Sequence, residues 1–286
     1  MRLSARLKDY ALLMRLHRPI GILLLLWPTL WALWIAAAGS PDPRVAVVFV
    51  LGVVLMRSAG CVINDYADRD FDPYVARTRE RPIAAGRVTP KEALALFVVL
   101  CLAAFALVLL MNLLTIALSV IAALLAASYP FTKRYTHLPQ FYLGVAFGWS
   151  IPMAFAAQTG AIPDIAWVLF GANVFWSVAY DTQYAMVDRD DDLKVGVKST
   201  AILLGDWDRF FVGVSHLLTI VLLAAAGRMA GLGLMYYAGL VVAGAIAGYQ
   251  QGLIRRREPQ ACLRAFLNNN YFGAAIFVGL LLDYGI

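Results

Sequence analysis

Long runs of apolar residues fill the chain, interrupted by short stretches rich in Gly and Pro and by two longer polar connections. Each run is long enough to cross the hydrocarbon core of a bilayer as a helix, which takes about 20 residues. Nine spans are read, at approximately 20–38, 45–63, 93–111, 114–130, 140–158, 164–183, 211–227, 232–253 and 267–285. None shows the strict alternation of a β-strand, so helices are the expected spanning structure. Turn residues mark the short connections Gly39-Ser40-Pro41-Asp42-Pro43, Thr159-Gly160-Ala161-Ile162-Pro163 and Gly231-Leu232-Gly233. The connections at about 64–92 and 184–210 are much longer and carry most of the local acidity.

The pattern also repeats. An ungapped shift of 120 residues lays Asp68-Arg69-Asp70-Phe71-Asp72 on Asp188-Arg189-Asp190-Asp191-Asp192, Pro19 on Pro139, and Pro43 on Pro163. The expected architecture is therefore a duplicated four-helix unit, about 15–130 and 135–250, plus a ninth helix, in one transmembrane domain covering 1–286. Four helices is an even number, so the copies share one orientation and form a parallel repeat about the membrane normal. The two acidic clusters then face each other across a central cavity. The fold class is that of an all-α integral membrane protein.

Composition agrees: 62% of the 286 residues are hydrophobic and only 15% charged, too apolar for a soluble domain of this size. Of the 24 Lys and Arg, 21 fall on one side of a nine-span topology, Arg44 and Arg228 on the other, and Arg57 inside the second span. By the positive-inside rule the N-terminus and both acidic connections are expected to be cytoplasmic, and the C-terminus periplasmic. The net charge of +6 reports this orientation first, and no nucleic-acid partner is expected. Cys61, Cys101 and Cys262 lack the spacing of a disulfide framework or a zinc site. The basic, amphipathic segment Met1–Arg18 has no small-residue cleavage site and is read as retained.

The chemistry concentrates at Asn64-Asp65-Tyr66-Ala67-Asp68-Arg69-Asp70-Phe71-Asp72, four carboxylates within eight residues at the end of an apolar run. If the helix continues, Asn64, Asp68 and Asp72 share one face at i, i+4 spacing. Like charges held that close need a cation, and oxygen ligands suit a hard divalent one. In the second cluster Asp181, Tyr184, Asp188 and Asp192 share a helical face. Asp70, Asp190 and Asp191 fall off these faces, and Asp65 is expected to cap the helix or support its neighbours. Two opposed Asp pairs suit Mg2+, which takes one or two carboxylates plus substrate phosphate oxygens and water.

A diphosphate between such metals needs further cations. The same side offers Arg77, Arg79, Arg81, Lys133, Arg134, Lys194 and Lys198, although membrane orientation alone accounts for most of these. Lys133 and Arg134 stand out within the aromatic connection Tyr129-Pro130-Phe131-Thr132-Lys133-Arg134-Tyr135. Arg57 lies seven residues before Asn64 on the same face but deeper; an intramembrane Arg points to an anionic substrate group. Arg15, His17 and Arg18 guard the mouth of the first span, with Arg15 and His17 read as snorkelling anchors.

Asn64-Asp65-x-x-Asp68-x-x-x-Asp72 resembles the N-D-x-x-D-x-x-x-D signature of the UbiA family of membrane prenyltransferases, and Asp181–Asp192 resembles its partner motif. Flanks at Tyr129–Gln140, Gly148–Phe155, Lys198–Thr200 and Asn268–Tyr271 are similar to the branch that acts on 4-hydroxybenzoate. The resemblance implies nine helices, Mg2+, a polyprenyl diphosphate donor and an aromatic acceptor, in ubiquinone biosynthesis in the bacterial inner membrane. It implies that Asp68, Asp72, Asp188 and Asp192, helped by Asn64, hold magnesium and diphosphate, with Arg134 beside them in a catalytic role. Lys133, Tyr184, Lys194, Lys198 and Arg77 are further candidates for binding substrate, and Arg57 or Arg18 for the acceptor carboxylate. Homogentisate or haem as acceptor, and a cation transporter or channel, are the alternatives. No obligate protein partner is inferred.

Overall fold

The structure is a computed structural model of the chain and describes residues 2–75, 78–196 and 198–285. Among the described residues all regular structure is helical. In chain order the helices are α1 (Arg2–Leu13), α2 (Ile20–Ala36), α3 (Pro43–Ala67), α4 (Pro90–Val108), α5 (Leu113–Ser128), α6 (Pro139–Gly148), α7 (Ser150–Thr159), α8 (Asp164–Val195), α9 (Thr200–Leu204), α10 (Asp208–Met229), α11 (Leu234–Leu253) and α12 (Pro259–Gly285). The segments Pro43–Ala67, Pro90–Val108, Leu113–Arg134, Thr200–Met229 and Pro259–Gly285 are long and apolar enough to cross a bilayer, and Ile20–Ala36 is apolar but shorter.

Local chemistry sets the helix ends. Asp42 caps α3 by accepting from the Arg44 and Val45 amides, with Pro43 in the first turn. Thr89 and Glu92 form a reciprocal capping box at the start of α4. Gly196, at φ 73°, closes α8 in the left-handed conformation.

Two expected helices are not continuous. The run 140–158 is divided at Trp149 into α6 and α7. Pro152 has no N–H to offer the Gly148 carbonyl one turn earlier, and its ring crowds that turn. The helix carrying the first acidic cluster ends at Ala67, and Asp68 is its C-terminal cap at φ −90°, ψ 0°. One further turn follows: the Phe71 and Asp72 amides both donate to the Asp68 carbonyl at 2.8 Å. Asp72 then opens the short 3-10 turn Asp72–Tyr74, where Pro73 prevents regular helix from continuing. Asn64, Asp68 and Asp72 are thus grouped by a helix end and a turn, not by one helical face.

The second cluster does sit on continuous helix. α8 runs for 32 residues, roughly 48 Å at 1.5 Å per residue, more than the ~30 Å hydrocarbon core requires. Its last turns, bearing Asp188 and Asp192, extend past the apolar part. α8 packs on α6, α10 and α12, while α11 packs on α12 and α10. α2 packs on α3, α7 and α12, and α3 on α4. α11 and α12 meet where Gly239 and Gly279 let the backbones touch: a Cβ on Gly239 would stand 2.8 Å from the Ala275 carbonyl oxygen.

A buried polar chain fixes α8 against its neighbours. The Trp176 indole N–H donates to Asn269 Oδ1 at 3.0 Å. Asn269 Nδ2 donates to Gln183 Oε1 at 2.8 Å, and Gln183 Nε2 to Gln250 Oε1 at 3.0 Å. All four residues are essentially inaccessible. Slipping or rotating α8 would leave several of these groups unpaired, which is costly in a low-dielectric interior. The face opposite Gln183 is thereby set, and Asp181, Tyr184 and Asp188 occupy it.

Candidate active site

α2, α3, α4, α5, α6, α8 and α12 enclose a cavity of about 490 Å³. Both acidic motifs open onto it: Asn64, Asp68 and Asp72 from the end of α3, and Asp181, Tyr184, Asp188 and Asp192 from α8. The rest of its wall is mostly apolar, with Leu24, Val53, Phe105, Ala122, Leu143 and Phe266 among its members. The site therefore joins a carboxylate-rich end to an apolar body.

At the first motif the carboxylates are buried, Asp65 at 0% exposure and Asp68 and Asp72 at 5% each. Asn64 Nδ2 donates to Asp68 Oδ2 at 3.1 Å, and Lys133 Nζ lies 2.5 Å from the same oxygen. Arg81 Nη1 donates to both Asp72 oxygens, at 3.0 and 2.8 Å. It also stands 3.2 Å from Asp65 Oδ1 and 3.8 Å from Asp68 Oδ2. Arg15 Nη2 reaches Asp65 Oδ1 at 2.6 Å. Burial pushes the Asp72 carboxyl up to about 6, and the Arg81 guanidinium opposes that shift.

The sequence offers Arg81 only as one of seven cations on this side, and it does not mark Arg15 as a site residue. Arg81 is one of several cations in a long connection and has no periodic relation to the motif. Arg15 was expected to be a snorkelling anchor; instead it is tied to Asp65. Its backbone is in the left-handed region at φ 59°, sterically costly for a side chain larger than Gly. Asp65 does support its neighbours, but through these guanidinium pairs and not as a helix cap.

Other candidates divide. Lys133, Lys198, Arg18 and Arg57 line the cavity. The Lys198 amide donates to the Lys133 carbonyl at 3.3 Å, tying the loop after α8 to the turn beside the first motif. Arg134 is not among the lining residues. Its guanidinium donates to the Ala67 carbonyl at the end of α3 and lies over the Phe71 and Phe131 rings, at 5.5 and 5.7 Å from their centroids. In this structure it clamps the helix end. Lys194 pairs with Asp191 at 3.1 Å on the exposed side of α8, away from the cavity wall. Arg77 lies outside the described residues.

Arg57 is deeper. Its Nη1 approaches Cys61 Sγ at 2.9 Å and its guanidinium lies 5.6 Å from the Phe147 ring centroid. Its Nε is buried without a hydrogen-bond partner. Gly21 makes the space: a Cβ there would stand 2.3 Å from that Nε. A donor left unpaired beside an open cavity is suited to an anionic group on a ligand.

Among the described residues no three carboxylate, thiol or imidazole side chains converge closely enough to enclose a metal ion unaided. Mg2+ does not require such a cage, since substrate oxygens and water complete its shell. The donors present are oxygens, and Asp68 Oδ1 is buried without a hydrogen-bond partner on the cavity wall. The residues fit a hard divalent cation shared with a ligand's phosphate oxygens.

The profile of the UbiA prenyltransferase family matches residues 25–276. The chain belongs to this family. It is 66% identical over 281 residues to a protein of Methylococcus capsulatus named 4-hydroxybenzoate octaprenyltransferase, covering 98% of this chain and 96% of that one. A protein of Alkalilimnicola ehrlichii with the same name is 65% identical over 281 residues, with the same coverage. Among solved structures, a UbiA homolog from Aeropyrum pernix superposes with a TM-score of 0.81 at 25% identity, covering 92% of this chain and 97% of that one. A UbiA homolog from Archaeoglobus fulgidus bound to GPP and Mg2+ gives 0.75 at 17% identity, covering 97% and 100%. This UbiA-family chain is a multi-pass membrane protein, and membership displaces the transporter and channel alternatives.

Proposed function

We propose that the protein transfers a polyprenyl group from polyprenyl diphosphate to the ring carbon ortho to the hydroxyl of 4-hydroxybenzoate, releasing diphosphate, as a step of ubiquinone biosynthesis. The observation that carries this reading is the cavity itself. Two acidic motifs and basic side chains line one end, and apolar helix faces line the rest. The shared name of relatives 65–66% identical along nearly the whole chain supports this acceptor and an octaprenyl donor.

The chain's own groups account for the chemistry. A bound divalent cation supplies Lewis-acid neutralisation of the leaving diphosphate. Asp68, Asp72, Asp188 and Asp192, with Asn64, would hold it. Lys133 and Lys198 stabilise charge on the diphosphate oxygens as the allylic C–O bond breaks. The apolar wall keeps water from the allylic cation. Arg57 holds the acceptor carboxylate, so that the ring carbon beside the hydroxyl meets the allylic cation; the new C–C bond forms there and that carbon's proton leaves, restoring aromaticity. Arg18, exposed at the mouth, is the less favoured partner because Arg57 has the buried unpaired donor.

In this reading nine spans cross the bacterial inner membrane: α2, α3, α4, α5, the α6–α7 pair, α8, α10, α11 and α12. The basic connections support a cytoplasmic N-terminus and cytoplasmic motifs, with a periplasmic C-terminus. Helix starts at Ile20, Pro43, Pro90 and Leu113 correspond to those at Pro139, Asp164, Asp208 and Leu234, which supports the duplication at an offset near 120.

Purified protein with Mg2+, octaprenyl diphosphate and a panel of acceptors tests the assignment. Ring-prenylated 4-hydroxybenzoate with stoichiometric diphosphate is expected. Faster turnover of homogentisate would overturn the choice of acceptor.

A further inference from the structure

Arg81 occupies the place where the first motif's carboxylates converge. One atom, Nη1, lies within 3.2 Å of three carboxylate oxygens, both of Asp72 and Oδ1 of Asp65. The guanidinium is mostly buried, with 13% of the side chain exposed. Its backbone is anchored independently of these contacts: the Arg81 amide donates to the Thr78 carbonyl at 2.9 Å, and the Arg81 carbonyl accepts from the Ala85 amide at 2.8 Å. Thr78 Oγ1 in turn donates to the Asp72 carbonyl at 3.0 Å. The side chain can therefore shift while the loop stays in place.

Nη1 bridges both Asp72 oxygens, so a divalent cation approaching between them competes with the guanidinium for the same face of the carboxylate, and the two positive charges repel. A cation taken up on that face displaces Arg81 from Asp72. Asp65 differs, because Arg15 also holds it at 2.6 Å and its site is fully buried. A displaced Arg81 keeps its Asp65 partner and so remains beside the incoming anion.

We infer that Arg81 is a built-in competitor of the divalent cation at Asp72 and Asp68, and that it exchanges those two carboxylates for the diphosphate while Asp65 keeps it at the site. Metal alone must then displace a bound guanidinium, whereas metal arriving with diphosphate offers Arg81 a new anionic partner. The device couples metal uptake to the presence of substrate. It rests on the metal reading given above, but not on the acceptor.

The test uses Mn2+ as a spectroscopic substitute for Mg2+, counted by electron paramagnetic resonance on the full-length protein in detergent. Arg81→Gln is expected to bind Mn2+ alone about tenfold more tightly than the parent, and inorganic diphosphate in the presence of Mn2+ about tenfold more weakly. General damage to the site would weaken both. Equal or weaker binding of Mn2+ alone overturns the proposal, and unchanged diphosphate binding overturns the exchange. Arg81→Lys carries the test if the Gln variant is not monodisperse. A lysine ammonium ends one bond short of Nη1, the single atom that reaches both Asp72 and Asp65, so Mn2+ binding between the two extremes is expected, and parental affinity contradicts it. Loss of Mn2+ binding from every protein would overturn the metal reading as well, whereas equal affinity overturns this inference alone. No prenyl donor or acceptor enters the measurement, so failure of the acceptor assignment leaves it untouched.

Discussion

Lys133 Nζ lies 2.5 Å from Asp68 Oδ2, joining the turn after α5 to the end of α3. The contact puts a cation on the cavity wall beside a carboxylate of the first motif. Replacing Lys133 by Met keeps the apolar stem and removes the charge. Turnover at limiting octaprenyl diphosphate should fall about 10²-fold, the scale for losing one preorganised group that meets developing charge. The Michaelis constant for 4-hydroxybenzoate should stay near that of the parent. Steady-state kinetics with each substrate varied in turn separates the two.

Arg134, its neighbour, should behave differently. Its guanidinium holds the Ala67 carbonyl and sits among aromatic rings. Arg134→Ala should cost about 1–3 kcal/mol of stability, seen as a lower midpoint for thermal unfolding in detergent. Turnover should persist at temperatures where the variant is folded. Loss of turnover with the fold intact would put Arg134 on the substrate.

Asp65→Asn tests the buried charge cluster. The carboxylate is fully buried and pairs with both Arg15 and Arg81. Neutralising it leaves two guanidinium groups short of their partner, a loss of about 3–5 kcal/mol for a broken buried pair. The unfolding midpoint should drop more than for Arg134→Ala.

Gly21→Ala probes the acceptor end. Alanine favours helix over glycine by ~1 kcal/mol, so α2 should not weaken. The new methyl would stand 2.3 Å from Arg57 Nε, and the guanidinium, the flexible end of a long side chain, is what must yield. The Michaelis constant for 4-hydroxybenzoate should rise about tenfold, with the octaprenyl diphosphate constant unchanged. The reverse pattern would remove Arg57 from the acceptor site.

The sequence carried the helical fold and both acidic motifs because apolar runs and i, i+4 spacing are local signals. Asn64 and Asp68 are joined as that spacing implies. The end of α3 was misjudged by following periodicity past Asp68, although Pro73 was a visible signal that helix could not continue. Pro152 likewise marked the break at Trp149. The roles of Arg15 and Arg81 were not legible, since partners 50 and 16 residues apart in sequence meet only through tertiary packing. Lys133 and Arg134 are adjacent in sequence, yet one lines the cavity and the other clamps a helix end. No pattern of residue types distinguishes two neighbouring cations in a turn.

The central claim is that two separate carboxylate motifs act on one diphosphate in one cavity. Its most direct measurement is the rate at which Asp68→Asn and Asp188→Asn, each shown to be folded and monodisperse, convert octaprenyl diphosphate and 4-hydroxybenzoate to the prenylated acid with Mg2+ present. Both variants should lose at least about 10²-fold in turnover, because each motif is needed to neutralise the leaving group. Parental turnover in either variant would contradict the claim.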